Sequence, residues 1–384
     1  MGEIGRRSMV QGGVTALFGA ACATCSGTTL NRDTPSSVPL ANVDPWGANI
    51  FLDIENERWK RRHTFEMLSH AGVRWVYQRM AWDDIEIPSK GSFVNVHRRE
   101  STWDRYDEIV DLADEFGLRI VARIERTPAW ARANGTSASA PPSNTEDFEE
   151  FLRTLATRYA GRIHHYQIWH EPNLASGWGG TPPDPQAYAA LLRAAYTTLK
   201  SVSKEIIVAN GQLAPTLEET PRAVNDLVYL RRLYDHAAGE TTDIQAAAAF
   251  GMEHEPENPP DARVLNFRRV ELIRKLMVEF GLADVPVWLS AYGWNAAPSD
   301  FDSTRLTWRR VPEREQAAWT VEAVDYGLQQ WPWIGVFGIW FFRQPFELLG
   351  PNNAAYFFRM VDPDFTPRLL YRAVQQAATG RTDL

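Results

Sequence analysis

From residue 44 onward, short apolar runs alternate with longer segments in which apolar positions recur every three to four residues. The short runs are apolar at nearly every position, which is typical of parallel strands covered on both faces. The longer segments have the spacing of amphipathic helices. The predicted strands cover residues 47–52, 73–79, 119–125, 164–170, 206–210, 243–250, 285–291 and 334–341.

Helical patterns follow the predicted strands along the chain. They cover residues 57–70, 103–116, 145–159, 185–204, 225–238, 265–280, 313–331 and 367–378. Asn144 precedes acidic residues and is typical of a helix start, because its side chain caps free N–H groups while the acids complement the helix dipole. Gly72, Gly117 and Gly281 are each placed to end a helix before the next strand.

The alternation of eight strands with eight helices defines the fold class. Eight β/α units in about 330 residues predict an α/β fold, a single (β/α)8 TIM barrel over residues 44–384. A doubly wound open sheet is the rival, but no glycine-rich phosphate loop follows the first strand. In a barrel of this kind, functional residues gather at the C-terminal ends of the strands.

Residues 1–43 differ in composition from the rest of the chain. The pair Arg6-Arg7, the apolar segment 14–23 and the small residues around Cys22 resemble a twin-arginine export signal over residues 1–25. Cys22 and Cys25 also fit a lipoprotein signal, and a disordered cytosolic tail is a third interpretation. Thr, Ser and Pro residues predict a flexible linker over 26–43. We expect export to the periplasm or the cell exterior, with a lipid anchor as the alternative.

Charge and cysteine content narrow the partners. The formal net charge is −8 and no basic stripe is present, which argues against nucleic acid or an anionic membrane as partner. No apolar run reaches the roughly 20 residues of a membrane span. Both cysteines precede residue 26, so the predicted barrel has no disulfide, thiol nucleophile or cysteine metal site. We expect a monomer that uses no cofactor and no metal.

Tryptophan is unusually abundant, with 15 residues. Indole rings stack on the apolar faces of sugar rings and also donate a hydrogen bond through their N–H groups. Most tryptophans of a large domain belong to its core, but Trp169, Trp294 and Trp340 lie next to predicted strand ends. We therefore expect these three side chains to face a cleft that binds sugar.

Five short motifs lie at or near the predicted strand ends. They are residues 82–88 with Gly91 after the second strand, 127–130 after the third, 171–173 after the fourth, 292–294 after the seventh, and 339–340 on the eighth. In this order they resemble the clan of retaining glycoside hydrolases that includes the cellulase-like families five and thirty-nine. The resemblance covers residues 46 to the end. It implies a secreted hydrolase that acts on the O-glycosidic bonds of a β-linked polysaccharide or oligosaccharide.

The resemblance also implies roles for single positions. Glu171 corresponds to the general acid/base, and we expect its apolar neighbours to favour the protonated acid. The nucleophile position carries Ala291, which has no functional group, and Ala248 also departs from the residue usual in the clan. His170 and Phe250 replace the usual Asn and Tyr. The implied substrate contacts are Arg79, Trp82, His170, Asn173, Phe250, Trp294 and Trp340.

Retaining hydrolysis needs two carboxyl groups about 5–5.5 Å apart, so Ala291 leaves three explanations. The residue was substituted deliberately to trap a substrate, or the lineage kept the cleft and lost hydrolysis, or another group acts instead. The replacements considered are the substrate's own 2-acetamido group and three residues after the sixth strand, Glu253, His254 and Glu255.

If the lineage lost hydrolysis, the alternative function is that of a catalytically inactive carbohydrate-binding barrel in cell-surface polysaccharide handling. Arg79 has two interpretations in that case. Without a nucleophile to brace, its guanidinium binds an anionic sugar, or it pairs with an acid inside the barrel wall.

Overall fold

The computed structural model describes residues 36–344 and 350–380, and its centre is a barrel of eight parallel strands. All eight predicted strands are present, with bounds within two residues of those expected. They are β1 (Trp46–Ile50), β2 (Trp75–Ala81), β3 (Arg119–Glu125), β4 (His165–Ile168), β5 (Ile207–Asn210), β6 (Gln245–Phe250), β7 (Val287–Gly293) and β8 (Ile334–Ile339).

The strands follow one another around the barrel in chain order. The eight-stranded sheet runs β6-β7-β8-β1-β2-β3-β4-β5. First and last strands pair in parallel, with Trp46 opposite Phe337. A parallel bridge between Ala209 in β5 and Ile244, just before β6, closes the remaining gap. The predicted (β/α)8 barrel is therefore confirmed.

Helices cover the outside of the barrel. They are α1 (Arg58–His70), α2 (Trp103–Phe116), α3 (Thr145–Arg158), α4 (Pro185–Val202), α5 (Asp226–Asp235), α6 (Val270–Glu279), α7 (Glu313–Gln330) and α8 (Leu369–Thr379). A short helix, Trp82–Ile85, follows β2. Two small hairpins pair Val94–Asn95 with Glu100–Ser101 and Glu219–Thr220 with Ala223–Val224. Within the described ranges, no helix is both long and apolar enough to cross a membrane.

The helix ends follow the chemistry expected of them. The Asn144 side chain accepts a hydrogen bond of 3.1 Å from the Glu146 N–H at the start of α3. Gly117 ends α2 in the left-handed conformation, with φ of +68°. Gly72 and Gly281 also have positive φ just after α1 and α6. Glycine adopts this conformation without the clash of a Cβ atom, which explains these stops.

The barrel interior is partly polar. Asn49 in β1 donates to the Ser290 carbonyl of β7 at 2.7 Å, and Gln167 in β4 donates to the Ser290 hydroxyl at 3.0 Å. Arg123 in β3 donates to the Asn49 side chain at 3.4 Å. Because buried polar groups are costly unless they are hydrogen-bonded, these contacts hold non-neighbouring strands in fixed relative positions below the mouth.

The N-terminal end of the barrel is closed by aromatic rings. Trp75 and Trp288 contact each other with centroids 4.8 Å apart. The Trp288 N–H donates to the Leu40 carbonyl at 2.9 Å, and Ala41 is buried. This end of the predicted linker therefore packs against the barrel. Residues 1–35, which include the predicted export signal at 1–25, lie outside the described residues.

Candidate active site

Glu171 lies at the C-terminal mouth of the barrel, three residues after β4. The backbone bends sharply here, because Trp169 and Glu171 both have positive φ, +75° and +50°. The Glu171 N–H donates to the Gln212 carbonyl at 2.9 Å. Gly177 passes so close that a Cβ atom on it would lie 2.1 Å from the Glu171 carbonyl oxygen. The bend leaves the Glu171 side chain 30% exposed.

Glu171 opens into a small cavity, here called the polar recess, between the ends of β3 and β4. Its lining residues are Glu125, Arg126, Ser139, Trp169, His170, Glu171, Ser176 and Gly177. The volume is about 160 Å³, small beside the roughly 300–1,000 Å³ of typical ligand sites. The polar recess therefore holds one small group, and a larger ligand would extend across the surrounding mouth.

Glu125, the last residue of β3, is the second carboxylate of the polar recess. Its side chain is 12% exposed, and Arg79 Nη1 and Arg123 Nε each lie 3.7 Å from one of its oxygens. Burial by itself raises the pKa of the Glu125 carboxyl, but the positive charges around it, that of Arg123 first, outweigh burial, so the pKa is lowered overall. Glu125 is therefore ionised at neutral pH.

His170 lies beside Glu171, with Nε2 3.9 Å from Oε2 of the carboxylate. Burial lowers the pKa of the imidazole, and the Glu171 charge opposes this only in part. The ring is therefore neutral at pH 7. Its Nδ1 atom is buried and has no hydrogen-bond partner within the described residues. A contact between His170 and substrate stays a prediction, and the ring is available to bind a hydroxyl group.

Arg79 is held by an acid that the sequence analysis did not identify. Its Nε donates to Asp53 Oδ2 at 2.8 Å, and Gln78 donates to the other Asp53 oxygen at 3.0 Å. Asp53 is buried in the loop after β1. Of the two interpretations of Arg79, the structure supports pairing within the barrel wall. The available signal was an acidic residue directly after the first predicted strand.

Ala291 is completely buried in a group of apolar side chains, here called the apolar cluster. Its members are Phe51, Ala248, Phe250, Met252, Ala291, Phe341 and Phe358, with Ile54, Leu265, Trp308 and Trp340 packed against them. Ala291 pairs with Ala248 of β6, next to a shift in the β6–β7 register. The cluster occupies the mouth beside β6, β7, β8 and the loop after β1.

Aromatic rings make up most of the apolar cluster. Phe250 contacts Phe358 and Trp308, with centroids 5.4 and 5.7 Å apart. Phe250, an implied substrate contact, therefore packs against other rings and is itself buried. A carboxylate in place of Ala291 would face hydrocarbon and lose its hydration, which is strongly unfavourable without a charged partner. The position that the resemblance assigns to the nucleophile is thus enclosed by apolar side chains.

Two implied sugar contacts, Trp82 and Trp294, have indole rings that lie inside the protein. Trp82 is fully buried, stacks on Phe151 with centroids 5.3 Å apart, and donates its N–H to Glu86 at 2.6 Å. Trp294 is also buried and donates its N–H to the His254 carbonyl at 2.7 Å. Neither indole face is free to stack on a sugar.

The other two tryptophans of interest differ from each other. Trp169 is buried, and its N–H donates to the Gly177 carbonyl at 2.9 Å, so its ring forms a wall of the polar recess and offers no open face. Trp340 is partly exposed and contacts Phe51 edge-on at 5.6 Å. Its N–H has no hydrogen-bond partner in the described chain. Trp340 remains a predicted sugar contact.

Asn173 has a structural position. Its side-chain N–H groups donate to the Ala214 and Val224 carbonyls at 2.9 and 3.0 Å, and its oxygen accepts from the Ala214 N–H at 2.8 Å. The side chain is completely buried. These polar groups of Asn173 already bind backbone, so the side chain has a structural role, and the implied substrate contact stays a prediction.

The residues after β6 lie outside the polar recess. Glu253 is 50% exposed, and its nearest cation, Arg309, is 3.9 Å away. Glu255 is also exposed, and His254 is partly exposed. None of the three lines the polar recess. Across residues 36–344 and 350–380, no three His, Cys, Asp or Glu side chains meet as a group that could hold a metal ion.

Two larger cavities at the rim of the mouth do not include Glu171. One of about 650 Å³ lies beside α1 and α2, where Arg61 pairs with Glu108 at 2.6 Å. The other, of about 710 Å³, lies beside the loops after β7 and β8, where Arg368 pairs with Glu313 at 3.0 Å. Glu171 therefore opens into the smallest of these three cavities.

The folded chain is similar to solved glycoside hydrolases. A family 39 glycoside hydrolase from the gut symbiont Bacteroides cellulosilyticus WH2 matches with a TM-score of 0.65 at 18% identity, over 88% of this chain and 64% of that one. A glucosidase from Croceicoccus marinus matches with 0.60 at 15%, over 82% and 61%. A monomeric β-xylosidase from Caulobacter crescentus CB15 matches with 0.58 at 14%, over 90% and 70%.

At these identities the similarity establishes the fold, which is the (β/α)8 barrel seen in clan A glycoside hydrolases. The chain spans less than two thirds of the length of the first two of these proteins. No protein-family model matches the sequence, and no curated protein matches it. Conclusions about activity therefore depend on the site itself.

Proposed function

We propose that the protein is a glycoside hydrolase that acts on O-glycosidic bonds of a β-linked oligosaccharide or polysaccharide, with Glu171 as the proton donor. One observation carries the proposal. Glu171 is a partly exposed carboxyl group held by a left-handed bend at the mouth of a glycosidase-type barrel, where it opens into the polar recess. The similar glucosidase and β-xylosidase structures support a sugar glycoside as the substrate class.

The chemistry assigned to Glu171 is protonation of the oxygen that leaves the anomeric carbon. Such general acid catalysis contributes roughly 10²–10⁴-fold to a rate. The neutral His170 ring beside it is suited to bind a sugar hydroxyl, as donor or as acceptor. Trp340, whose ring is partly exposed, is suited to contact the same ligand across the mouth.

A second candidate function is sugar binding without hydrolysis. The observation that favours it is the burial of Ala291 in the apolar cluster, because a retaining mechanism needs a nucleophile at that position. Both functions predict affinity for sugar at the polar recess. They differ in turnover.

The test compares the native chain with Glu171→Gln on a panel of aryl β-glycosides and β-linked oligosaccharides. For substrates with poor leaving groups, we expect kcat to fall by about 10²–10⁴-fold in the variant, and far less for dinitrophenyl glycosides, which need no proton. Glu279→Gln, at the opposite end of the barrel, is the matched control. Equal loss for all leaving groups would contradict the role of Glu171.

Calorimetric titration of the same sugars distinguishes the two candidate functions. Binding without turnover by the native chain supports the second. Neither binding nor turnover would overturn both.

Added azide tests whether the position of Ala291 is accessible. Azide replaces a missing nucleophile only when it reaches the anomeric carbon from that side. Because Ala291 is enclosed by the apolar cluster, we expect no acceleration. Rescue by azide, with an α-glycosyl azide product, would show instead a retaining site that lacks only its nucleophile.

We also propose that residues 1–25 direct export and that the exported protein is a monomer. The paired arginines support a twin-arginine signal. The two cysteines support a lipid anchor as the alternative. Cell fractionation of the full chain and of an Arg6→Lys/Arg7→Lys variant tests export. Light scattering of the exported protein tests its oligomeric state.

A further inference from the structure

The proposed hydrolysis needs a second carboxylate, and Ala291 does not supply one. Most other acids near the mouth are bonded to neighbouring side chains. These acids, each with its partner, are Asp53 with Arg79, Glu55 with Arg343, Asp83 with Arg126 and Glu86 with Trp82. Glu125 differs from them because it lines the same polar recess as Glu171.

Neighbouring arginines offset the charge of the ionised Glu125 carboxylate, but its oxygens remain open to hydrogen bonding. Its nearest cationic atoms, on Arg79 and Arg123, stay at 3.7 Å, and no hydrogen bond from another described residue reaches its oxygens. Arg123 is buried, and its Nε has no hydrogen-bond partner among the described residues. The lone pairs of Glu125 are therefore free to accept a hydrogen bond from water.

Backbone strain gathers around the polar recess. Arg126, Trp169 and Glu171 line it, and all three have positive φ, of +70°, +75° and +50°. This conformation costs a non-glycine residue about 1–2 kcal/mol. Such strain concentrates at functional sites, where the surrounding structure holds it in place. The geometry points to the polar recess independently of its charges.

The strand register places the two carboxyl groups on adjacent strands but not side by side. Ile124 lies opposite Ile168, so Glu125 is level with Trp169, and Glu171 lies two residues farther along. The cavity that the two side chains share has a volume of about 160 Å³, which is more than the roughly 30 Å³ that one water occupies. An acid and a base that act through a water must flank the scissile bond, and both of these carboxyl groups line that cavity.

We propose that Glu125 is the general base of this chain and that a water bound to Glu125 attacks the anomeric carbon on the face opposite the oxygen that Glu171 protonates, so that β-glycosidic bonds are cleaved with inversion. The inference rests on the proposed hydrolase function and replaces the retaining route that the resemblance implies. Ionised Glu125 is ready to accept a proton. Glu171 has no arginine or lysine within 4 Å in the described chain, which suits a group that must carry a proton.

The step is balanced as a single displacement. The Glu171 acid gives its proton to the glycosidic oxygen as the bond from that oxygen to the anomeric carbon breaks. The water oxygen forms a bond to the anomeric carbon and gives its proton to the Glu125 carboxylate. An alcohol and an α-hemiacetal leave, and proton exchange with solvent restores Glu171 as acid and Glu125 as base. No other reactant is consumed.

The experiment uses the full chain with Glu125→Gln, Glu125→Asp and the Glu279→Gln control, on the aryl β-glycosides and β-linked oligosaccharides used above. Proton NMR within the first turnovers identifies the anomer released. We expect the α-anomer from the native chain and about a 10²–10⁴-fold loss of kcat in Glu125→Gln, for good and poor leaving groups alike. Glu125→Asp should recover part of the rate. Circular dichroism and thermal melting confirm that each variant is folded.

The possible failures are distinguishable. Release of the β-anomer by the native chain, or native kcat in folded Glu125→Gln, overturns the inference while hydrolysis by Glu171 stands. Sugar binding without turnover also overturns it and leaves the non-hydrolytic function. Absence of both binding and turnover removes the proposed function together with the inference. Loss of activity in Glu125→Gln with loss of fold is resolved by the Glu125→Asp variant, which must then be folded and active.

Discussion

The β3–β4 side of the barrel mouth is polar and open, whereas the side beside β6, β7 and β8 is apolar and closed. Both sides stand on the same ring of parallel strands, so a few side chains at the strand ends make the difference. On the open side, Glu125 and Glu171 remain exposed in part. On the closed side, Ala291 is covered by rings. The barrel determines where functional residues can lie, and the residues at the strand ends determine which side of the mouth is open to a ligand.

Of the substitutions that test the difference between the two sides, Ala291→Glu should have the largest effect. A carboxylate there is enclosed by the apolar cluster, so we expect a loss of about 3–5 kcal/mol in the free energy of unfolding. No gain of glycosidase activity should accompany it. Urea unfolding and the aryl glycoside assay measure the two quantities.

Ala291→Leu is the control for added volume, with an expected loss of about 1–3 kcal/mol from overpacking. If Ala291→Glu were as stable as the native chain, the side of the mouth beside β6, β7 and β8 would not be closed. Strong activity in Ala291→Glu would show that a retaining site survives.

Phe250→Ala opens the closed side from its centre. Removal of a ring that packs against Phe358 and Trp308 should cost about 3 kcal/mol in the free energy of unfolding. The kcat and KM values should not change, because the apolar cluster lies apart from the polar recess. A large rise in KM with little loss of stability would return Phe250 to the role of substrate contact. Thermal and urea unfolding, together with steady-state kinetics, provide the measurements.

Asn173→Ala tests whether the polar side contains purely structural residues next to Glu171. Loss of three hydrogen bonds to Ala214 and Val224 leaves buried backbone groups unpaired, so we expect about 2–3 kcal/mol of destabilisation. Exposed Asn134→Ala is the matched control and should change stability by less than about 0.5 kcal/mol. An Asn173→Ala protein of native stability that binds sugar weakly would restore the predicted substrate contact.

The smallest effect is a pH dependence on the polar side. Because burial lowers the folded-state pKa of His170, the unfolded chain binds a proton below about pH 6.5 that the folded chain does not. The free energy of unfolding should therefore fall as the pH decreases from 7 to 5. His165, whose pKa burial lowers to about 3, adds a change of the same sign.

His170→Asn should reduce this slope without abolishing it, as measured by urea unfolding at pH 7 and pH 5. An unchanged slope would show that His170 titrates alike in the folded and unfolded chains.

The fold was predictable because its signals are local and repeated. Near-continuous apolar runs, helical periodicity and stop residues such as Gly117 each act within a few residues, and eight repeats of them leave few architectures. The prediction that Glu171 lies at a strand end was also correct. Its position follows from the end of an apolar run, which the sequence displays directly.

The direction of side chains beyond the strand ends was not predictable from such signals. Trp169 and Trp294 lie at the expected positions along the chain, but bends after the strands turn both rings into the protein. Gly251 lies against the Trp294 ring and Gly177 accepts the Trp169 N–H, although a glycine alone does not say which neighbour approaches it. Glu125 is the last residue of a predicted strand, but only the folded structure shows that it shares a cavity with Glu171.

The enclosure of Ala291 also limits how the sequence can change over generations. A change to Glu at this position places a carboxylate among buried rings. If Phe250 or Phe358 is first replaced by a smaller residue, packing is lost before any carboxylate is present. Either order passes through a less stable protein, and natural proteins have little stability to lose. Selection for a folded chain therefore disfavours a carboxylate at this position of β7. The polar recess, which already faces water, can vary one residue at a time.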